Sequence, residues 1–174
     1  AQGVVARKLF TGIAYAGISG LTNSAKFPNS PDGIDFQANA ESPQNIGDSY
    51  GVQLVGFVIP PVTGDYTFFV SADEQGVLFL SLDENPASKA TIANAPSATG
   101  YRAWLTFTNQ QSAYFRLEAG RRYYVEALMA EGGGADHLTV TWRMRGMLPP
   151  NTGDAPIPGA FLSSTTVSGT AGIA

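Results

Sequence analysis

Cysteine is absent from the 174 residues, which removes disulfides, thiolate nucleophiles and the usual structural zinc sites together. A single histidine, His137, excludes a metal site built on a histidine cluster. Basic residues are few: 10 lysines and arginines stand against 14 aspartates and glutamates, a formal net charge of −4. No basic stripe is left to track phosphates or an anionic bilayer, so nucleic acid is not an expected partner. No apolar run approaches the roughly 20 residues that span a bilayer, and membrane insertion is not expected. The opening Ala1-Gln2-Gly3-Val4-Val5-Ala6-Arg7-Lys8 lacks the order of a signal peptide. The expectation is a soluble, monomeric module of a longer chain, with any targeting sequence outside it. Charged residues make up 14% against a usual quarter, and no helical periodicity extends beyond about one turn.

What the chain has instead is turns. Twenty glycines and 11 prolines, with abundant Ser and Thr, punctuate short alternating segments, the profile of an all-β domain. Residues 1 to 13 hold one or two short strands. From Tyr15 to Ser49 the punctuation reads as one extended surface excursion, whose Phe27, Ile34, Phe36 and Ile46 favour packing as a lid over a sheet. Val52 to Ile59 reads as a central strand ended by Pro60-Pro61, and Asp65 to Ser71 as a strand covered on both faces. Short strands follow at Val77 to Leu80, Lys89 to Ala93, Ala113 to Leu117, Arg121 to Met129 and Leu138 to Trp142. Residues 94 to 112 are irregular, and their Tyr101, Trp104 and Phe107 serve either the core or a pocket. Seven or more strands joined by turns give an antiparallel β-sandwich, jelly-roll-like, of two packed sheets with long irregular loops; a closed barrel is the main rival. One domain over residues 1–162 is expected, with residues 163–174 a Ser/Thr/Gly-rich tail or linker.

Two acidic turns carry the candidate chemistry. Asp73-Glu74-Gln75-Gly76 reads as the tip of a β-hairpin, and Glu131-Gly132-Gly133-Gly134-Ala135-Asp136-His137 joins two strand-like runs. Glycines open backbone conformations that bring bare carbonyls close to a ligand, and carboxylates with free carbonyls suit a hard cation. If Asp73, Glu74 and Glu131 converge, each pair of like charges about 4 Å apart repels by roughly 4 kcal/mol at an effective dielectric near 20. A divalent cation turns that repulsion into attraction. The competing reading leaves the acids in water, Glu74 paired to Arg121 or Arg122, and the glycines serving a turn.

With both turns read, the sequence resembles the protective-antigen module family, named for a β-sandwich domain of the anthrax toxin and found in glycosidases, bacterial adhesins and yeast flocculins. The resemblance is carried by GFVIPPVTGDYTFFVSADEQGVLFLS at positions 56 to 81 and YFRLEAGRRYYVEALMAEGGGADHLTVTW at 114 to 142, with KFPNSPD and GDSYG nearer the start. It covers roughly residues 5 to 162. In sugar-binding members, two consecutive aspartates at the first tip, joined by a cis peptide, hold calcium together with a loop of the later strand pair. Asp73 and Glu74 match that pair, with glutamate at the second position. The same match implies a side-chain ligand at Glu131 and carbonyl ligands at Gly133 and Ala135.

The adjacent Asp136 and His137 would point to opposite faces of a strand, which excludes an acid-imidazole pair and assigns no catalytic residue; His137 either rims the binding face or packs against the turn. A glycine loop of acids also lacks the apolar wall that would raise one carboxyl's pKa for glycosidase work. Asp32, Asp35 and Asp48 read as turn residues bonded to their own backbone. The resulting expectation is a non-catalytic, calcium-dependent carbohydrate-binding module of a secreted or cell-surface protein, adhesin-like. Its metal ligands are Asp73, Glu74, Glu131, Gly133 and Ala135, and its sugar contacts Asp73, Glu74, Asp136 and His137. The alternative is a structural spacer module of a surface protein that binds no sugar.

Overall fold

The computed structural model describes residues 1–164, in which the strands form two antiparallel sheets packed face to face. In chain order they are β1 (Val5–Thr11), β2 (Gly33–Gln37), β3 (Glu41–Ser42), β4 (Tyr50–Val58), β5 (Gly64–Asp73), β6 (Gln75–Leu80), β7 (Ala90–Ala95), β8 (Phe115–Leu117), β9 (Tyr123–Glu131), β10 (His137–Met144) and β11 (Leu162–Ser164). The larger sheet has the order β2-β1-β4-β9-β6-β7, and β11 pairs with β4 at Gly56 to Val58, past the residues that β1 takes. The smaller sheet has the order β3-β10-β5-β8. The sandwich is thus the observed architecture, and the barrel is not.

Period-two alternation decides what enters the space between the sheets. β4 contributes Val52, Leu54 and Val58, β9 contributes Val125, Ala127 and Met129, and these meet Phe68, Val70, Leu138 and Val140 of the facing sheet. Burying each such side chain contributes about 1.5–3 kcal/mol. β5 is covered on both faces as its composition suggested: Phe69, on the far side from Phe68, is also fully buried, beside a bridge to Gln111.

The excursion after β1 is more ordered than its glycines and prolines suggest. It holds a one-turn helix, α1 (Ile18–Thr22), and two short strands that join different sheets: β2 lies on β1, β3 on β10. Its lid role falls to Leu21, Ile18 and Phe27, which pack with Phe10 and Leu128 on the outer face of the larger sheet. Leu21 presses so closely on β4 that a Cβ at Gly51 would lie 2.5 Å from it, which accounts for glycine there. Ile34, Phe36 and Ile46, expected under the lid, are exposed. At the other end, Ser163 and Ser164, assigned to the tail by composition, belong to the larger sheet; the rest of that tail lies outside the described residues.

The two acidic turns are not hairpin tips within one sheet. β5 and β6 belong to different sheets, as do β9 and β10, so each turn carries the chain across the edge of the sandwich. β5 neighbours β10 in one sheet and β6 neighbours β9 in the other. Both crossings therefore lie at the same end, side by side.

Candidate functional site

This topology brings Asp73, Glu74, Glu131 and Asp136 together. Asp73 ends β5 directly opposite His137 at the start of β10, and Glu131 ends β9 opposite Tyr50. Asp73 and Glu74 are half-buried, joined by a cis peptide bond, while Glu131 is 1% exposed. Among the described residues, neither carboxylate oxygen of Glu131 has a hydrogen-bond partner. Burial, then the negative charges of Glu74, Asp73, Asp136 and Asp48, push its pKa to about 7. Burial likewise raises Asp73; His137 opposes the shift, while Glu74 and Asp136 add to it. A buried setting that raises one acid's pKa, which the glycine-rich sequence did not suggest, is therefore present, built from burial and neighbouring acids.

The charge distribution is lopsided. Apart from Asp83, every acid outside this end pairs with a lysine or arginine, including Asp32 with Lys26, Asp35 with Arg7 and Glu41 with Arg102. Among the described residues none of Asp48, Asp73, Glu74, Glu131 and Asp136 has such a partner. Arg121 and Arg122, the partners considered for Glu74, pair with Glu118 and Glu84. Asp32 and Asp35 are thus ion-pair residues and not turn residues bonded to their own backbone.

Asp48 also reaches outward: its carboxylate accepts from the Gly134 amide at 3.2 Å, and Ser49 N donates to Gly132 O at 3.0 Å. Gly134, at φ +108°, turns the loop in a conformation few other residues adopt. The carbonyls of Gly133 and Ala135 take part in no hydrogen bond among the described residues, and both residues are exposed. Asp136 is buried, its carboxylate accepting from the Tyr50 hydroxyl and from Ile46 N at 3.2 Å. His137 is buried too, with Nε2 2.8 Å from the Thr99 carbonyl and Nδ1 unpartnered. The two side chains engage different partners, and neither faces solvent where a sugar would lie.

Two exposed aromatic residues flank the cluster. Tyr15 lies over the glycine loop, 3.1 Å from where a Gly132 Cβ would stand, with its hydroxyl near Glu74. Tyr101 packs edge-on against His137 at 5.8 Å, its hydroxyl donating to Glu41 at 3.0 Å. Glu41 also takes a two-pronged hydrogen bond from Arg102, which pins the 94–112 loop beside this end. Of the aromatic residues left open between core and pocket, Trp104 is core and Tyr101 is not. Tyr15 lies in no motif that could mark it; Tyr50 stands in the GDSYG motif, where its role as the partner of Asp136 is not legible. A cleft of about 540 Å³ is lined by Trp142, Met144 and Pro156 at the opposite end of the sandwich, away from all of this chemistry.

The residues fit a hard cation in part. A buried carboxylate with both oxygens unused, uncompensated acids around it and free loop carbonyls are the donors that calcium takes six to eight at a time. Among the described residues no group of three or more acidic or imidazole side chains is placed to hold a metal ion, so the carboxylates would have to draw together around an ion, with carbonyls and water completing its shell.

A sequence model of the GLEYA domain matches residues 50–143, more than half the chain. The chain belongs to the GLEYA domain family. That corrects the resemblance to the protective-antigen module family, whose quoted motifs fall largely inside the span that the GLEYA match now accounts for. The GLEYA span runs from β4 to β10 and so contains both crossings. A mouse N-acetyl-beta-glucosaminyl-glycoprotein 4-beta-N-acetylgalactosaminyltransferase 1 is 37% identical over 100 residues, 55% of this chain but 10% of that protein. The PA14 sugar-binding domain from an RTX adhesin superposes with a TM-score of 0.61 at 16% identity, covering 85% of this chain and 93% of that one. The epithelial adhesin 6 A domain of Candida glabrata, in complex with Galb1-3GlcNAc, gives 0.57 at 15% identity over 93% and 87%. At such identities the likeness is one of fold. Among the described residues of this GLEYA domain, no helix is long and apolar enough to cross a membrane.

Proposed function

We propose that this GLEYA domain is a non-catalytic carbohydrate-binding module whose sugar site is built on a calcium ion at the acidic end of the sandwich, in a secreted or cell-surface protein. The observation that carries it is Glu131: a carboxylate 1% exposed, with both oxygens unpartnered and only acids for charged neighbours. A buried charge without a partner is strongly destabilising, and a divalent cation removes that penalty. Asp73, Glu74 and Glu131 would hold the ion by side chains and Gly133 and Ala135 by carbonyls. Calcium there supplies a coordination shell in which two vicinal hydroxyls can replace two waters. Asp136 and His137 act from behind, positioning the loop through Tyr50, Ile46 and Thr99. Tyr15 and Tyr101 provide flat, half-polar walls suited to the face of a pyranose.

The names of similar structures support the sugar: one is a sugar-binding domain and another holds a Galb1-3GlcNAc glycan. The likeness to a glycosyltransferase covers a tenth of that enzyme, and Glu131, although its pKa is raised, lies below the surface that a glycosidic oxygen could reach.

The second reading, a spacer in which calcium serves rigidity alone, draws on the burial of Glu131 and Asp136. Calorimetric titration with calcium, then with Galb1-3GlcNAc and lactose in calcium or chelator, separates them. Glycan binding that requires calcium supports the first reading; calcium binding with no glycan response supports the calcium-rigidified spacer; no calcium binding sinks the ion site in both and, with no glycan response, leaves a spacer that binds neither.

A further inference from the structure

The outer face of the larger sheet carries a second polar pocket, remote from the crossings. Two apolar clusters lie on this face, one under the lid around Phe10 and Leu21 and one around Ala6, Val55 and Tyr124. A cleft of about 360 Å³ opens among Lys8, Phe27, Gln53, Lys89, Tyr124 and Glu126, within the roughly 300–1,000 Å³ of small-ligand sites. Its floor is built. Glu126, 1% exposed, accepts from the Tyr124 hydroxyl at 2.5 Å and from Lys89 at 3.0 Å. Gln53, 4% exposed and directly opposite Lys8 in the β1–β4 ladder, has a buried Oε1 with no hydrogen-bond partner among the described residues. Lys8 is the one lysine or arginine without an acidic partner among the described residues, and reaches only the Pro28 carbonyl at 3.4 Å.

We infer that this pocket binds a neutral polyhydroxylated ring, a single pyranose unit, independently of calcium. The pocket offers one unmatched acceptor, Gln53 Oε1, beside one underused donor, Lys8 Nζ, and a hydroxyl can serve both because it donates and accepts. An unpaired buried amide oxygen is destabilising, which a ligand hydroxyl would relieve. A free anion suits the pocket less: Glu126 and Lys89 neutralise each other, and an anion drawn to Lys8 would lie beside the Glu126 carboxylate. The rings of Phe27 and Tyr124 give the apolar wall that orients the C–H face of a sugar. The site shares no residue with the acidic end, so it stands whether or not that end binds glycan.

The test is a titration of nitrogen-15-labelled protein in EDTA with methyl glucoside, galactoside and mannoside, following the backbone amides of Gln53, Val55 and Glu126. At least one neutral pyranoside is expected to shift these amides saturably at millimolar concentration. Gln53→Leu should weaken that binding about tenfold, the loss of one hydrogen bond, and should fold, since it removes an unsatisfied acceptor. Lys8→Met, at a half-exposed position, provides a second variant with the same expected direction. The inference is overturned if these amides do not move with any neutral pyranoside, if both variants bind as the wild type does, or if glucuronate alone produces the shifts. A failure of the calcium reading would register separately, as unmoved amides at Asp73 and Gly134 on adding calcium.

Discussion

Two glutamates on β9, Glu126 and Glu131, are each 1% exposed and differ in everything else. An odd spacing puts them on opposite faces of one strand. Glu126 looks outward, where Lys89 and Tyr124 occupy both of its oxygens. Glu131 looks into the end of the sandwich, where the charged groups around it are acids. Burying a carboxylate is tolerated when it is paired and costly when it is not. Glu126 is thus a completed structural ion pair, whereas Glu131 is left without a positive partner, the place that the proposed function gives to a cation. The same residue type at the same burial serves stability in one case and, on the reading above, function in the other.

Removing the partner of the satisfied glutamate gives the largest expected effect. Lys89→Met leaves Glu126 buried with Tyr124 alone. Stranding a buried charge costs about 3–5 kcal/mol, and because Lys89 is itself about a third exposed, roughly 3 kcal/mol is expected in urea denaturation at neutral pH. A loss below about 1 kcal/mol would mean that Glu126 tolerates isolation as Glu131 does, and the contrast would collapse.

The unsatisfied glutamate should respond to pH with the unusual sign. Its folded-state pKa is raised from 4.5 to about 7, so between those values the native state binds more protons than the unfolded chain. Without calcium, stability is then highest near the lower limit and falls as pH rises through about 7, by at most about 3 kcal/mol. Glu131→Gln should flatten that window. It should leave untouched the separate loss at stronger acidity, where Asp32, held at about 2 by hydrogen bonds from Lys26 and the Thr11 amide, becomes protonated. A wild-type profile that rises between pH 5 and 7 would contradict the electrostatics assigned to this end.

Calcium should then do for Glu131 what Lys89 does for Glu126. At a hundredfold excess over Kd the expected stabilisation is about 2.7 kcal/mol, read as an upward shift of the melting curve relative to chelator. Glu131→Gln should lose that shift while Lys89→Met keeps it. Equal shifts in the two variants would place the ion somewhere other than the acidic end.

The fold was legible because alternation marks β9 and β10, near-continuous apolar runs mark β4 and β5, and turn residues separate them. What composition could not convey is that consecutive strands change sheets: Asp73-Glu74-Gln75 looks like a hairpin turn by spacing, and only the pairing of β5 with β10 and of β6 with β9 makes it a crossing. The acids of the candidate site were visible as residue types, but their isolation was not, because it depends on where each arginine and lysine finds its partner. Asp48 illustrates the limit, reaching across 86 positions to Gly134, a contact that no local rule for Asp in turns contains. Tyr15 lay hidden for the same reason, being drawn to the site by a loop whose path the sequence leaves open.

Tyr15 supplies the smallest effect and the most specific one. It is 45% exposed and covers the glycine loop, so Tyr15→Leu should change stability by no more than about 0.5 kcal/mol. It is not among the proposed calcium ligands, so the calcium-induced shift in melting should persist. What it offers a ligand is a flat ring and a hydroxyl beside Glu74, and losing one such contact should weaken glycan binding about tenfold, near 1.4 kcal/mol. Calcium affinity and glycan affinity measured on the same variant give the discrimination that the larger perturbations lack. If Tyr15→Leu weakened both equally, the ring would be part of the ion's enclosure, and the division between an ion held by acids and a sugar held against tyrosines would have to be redrawn.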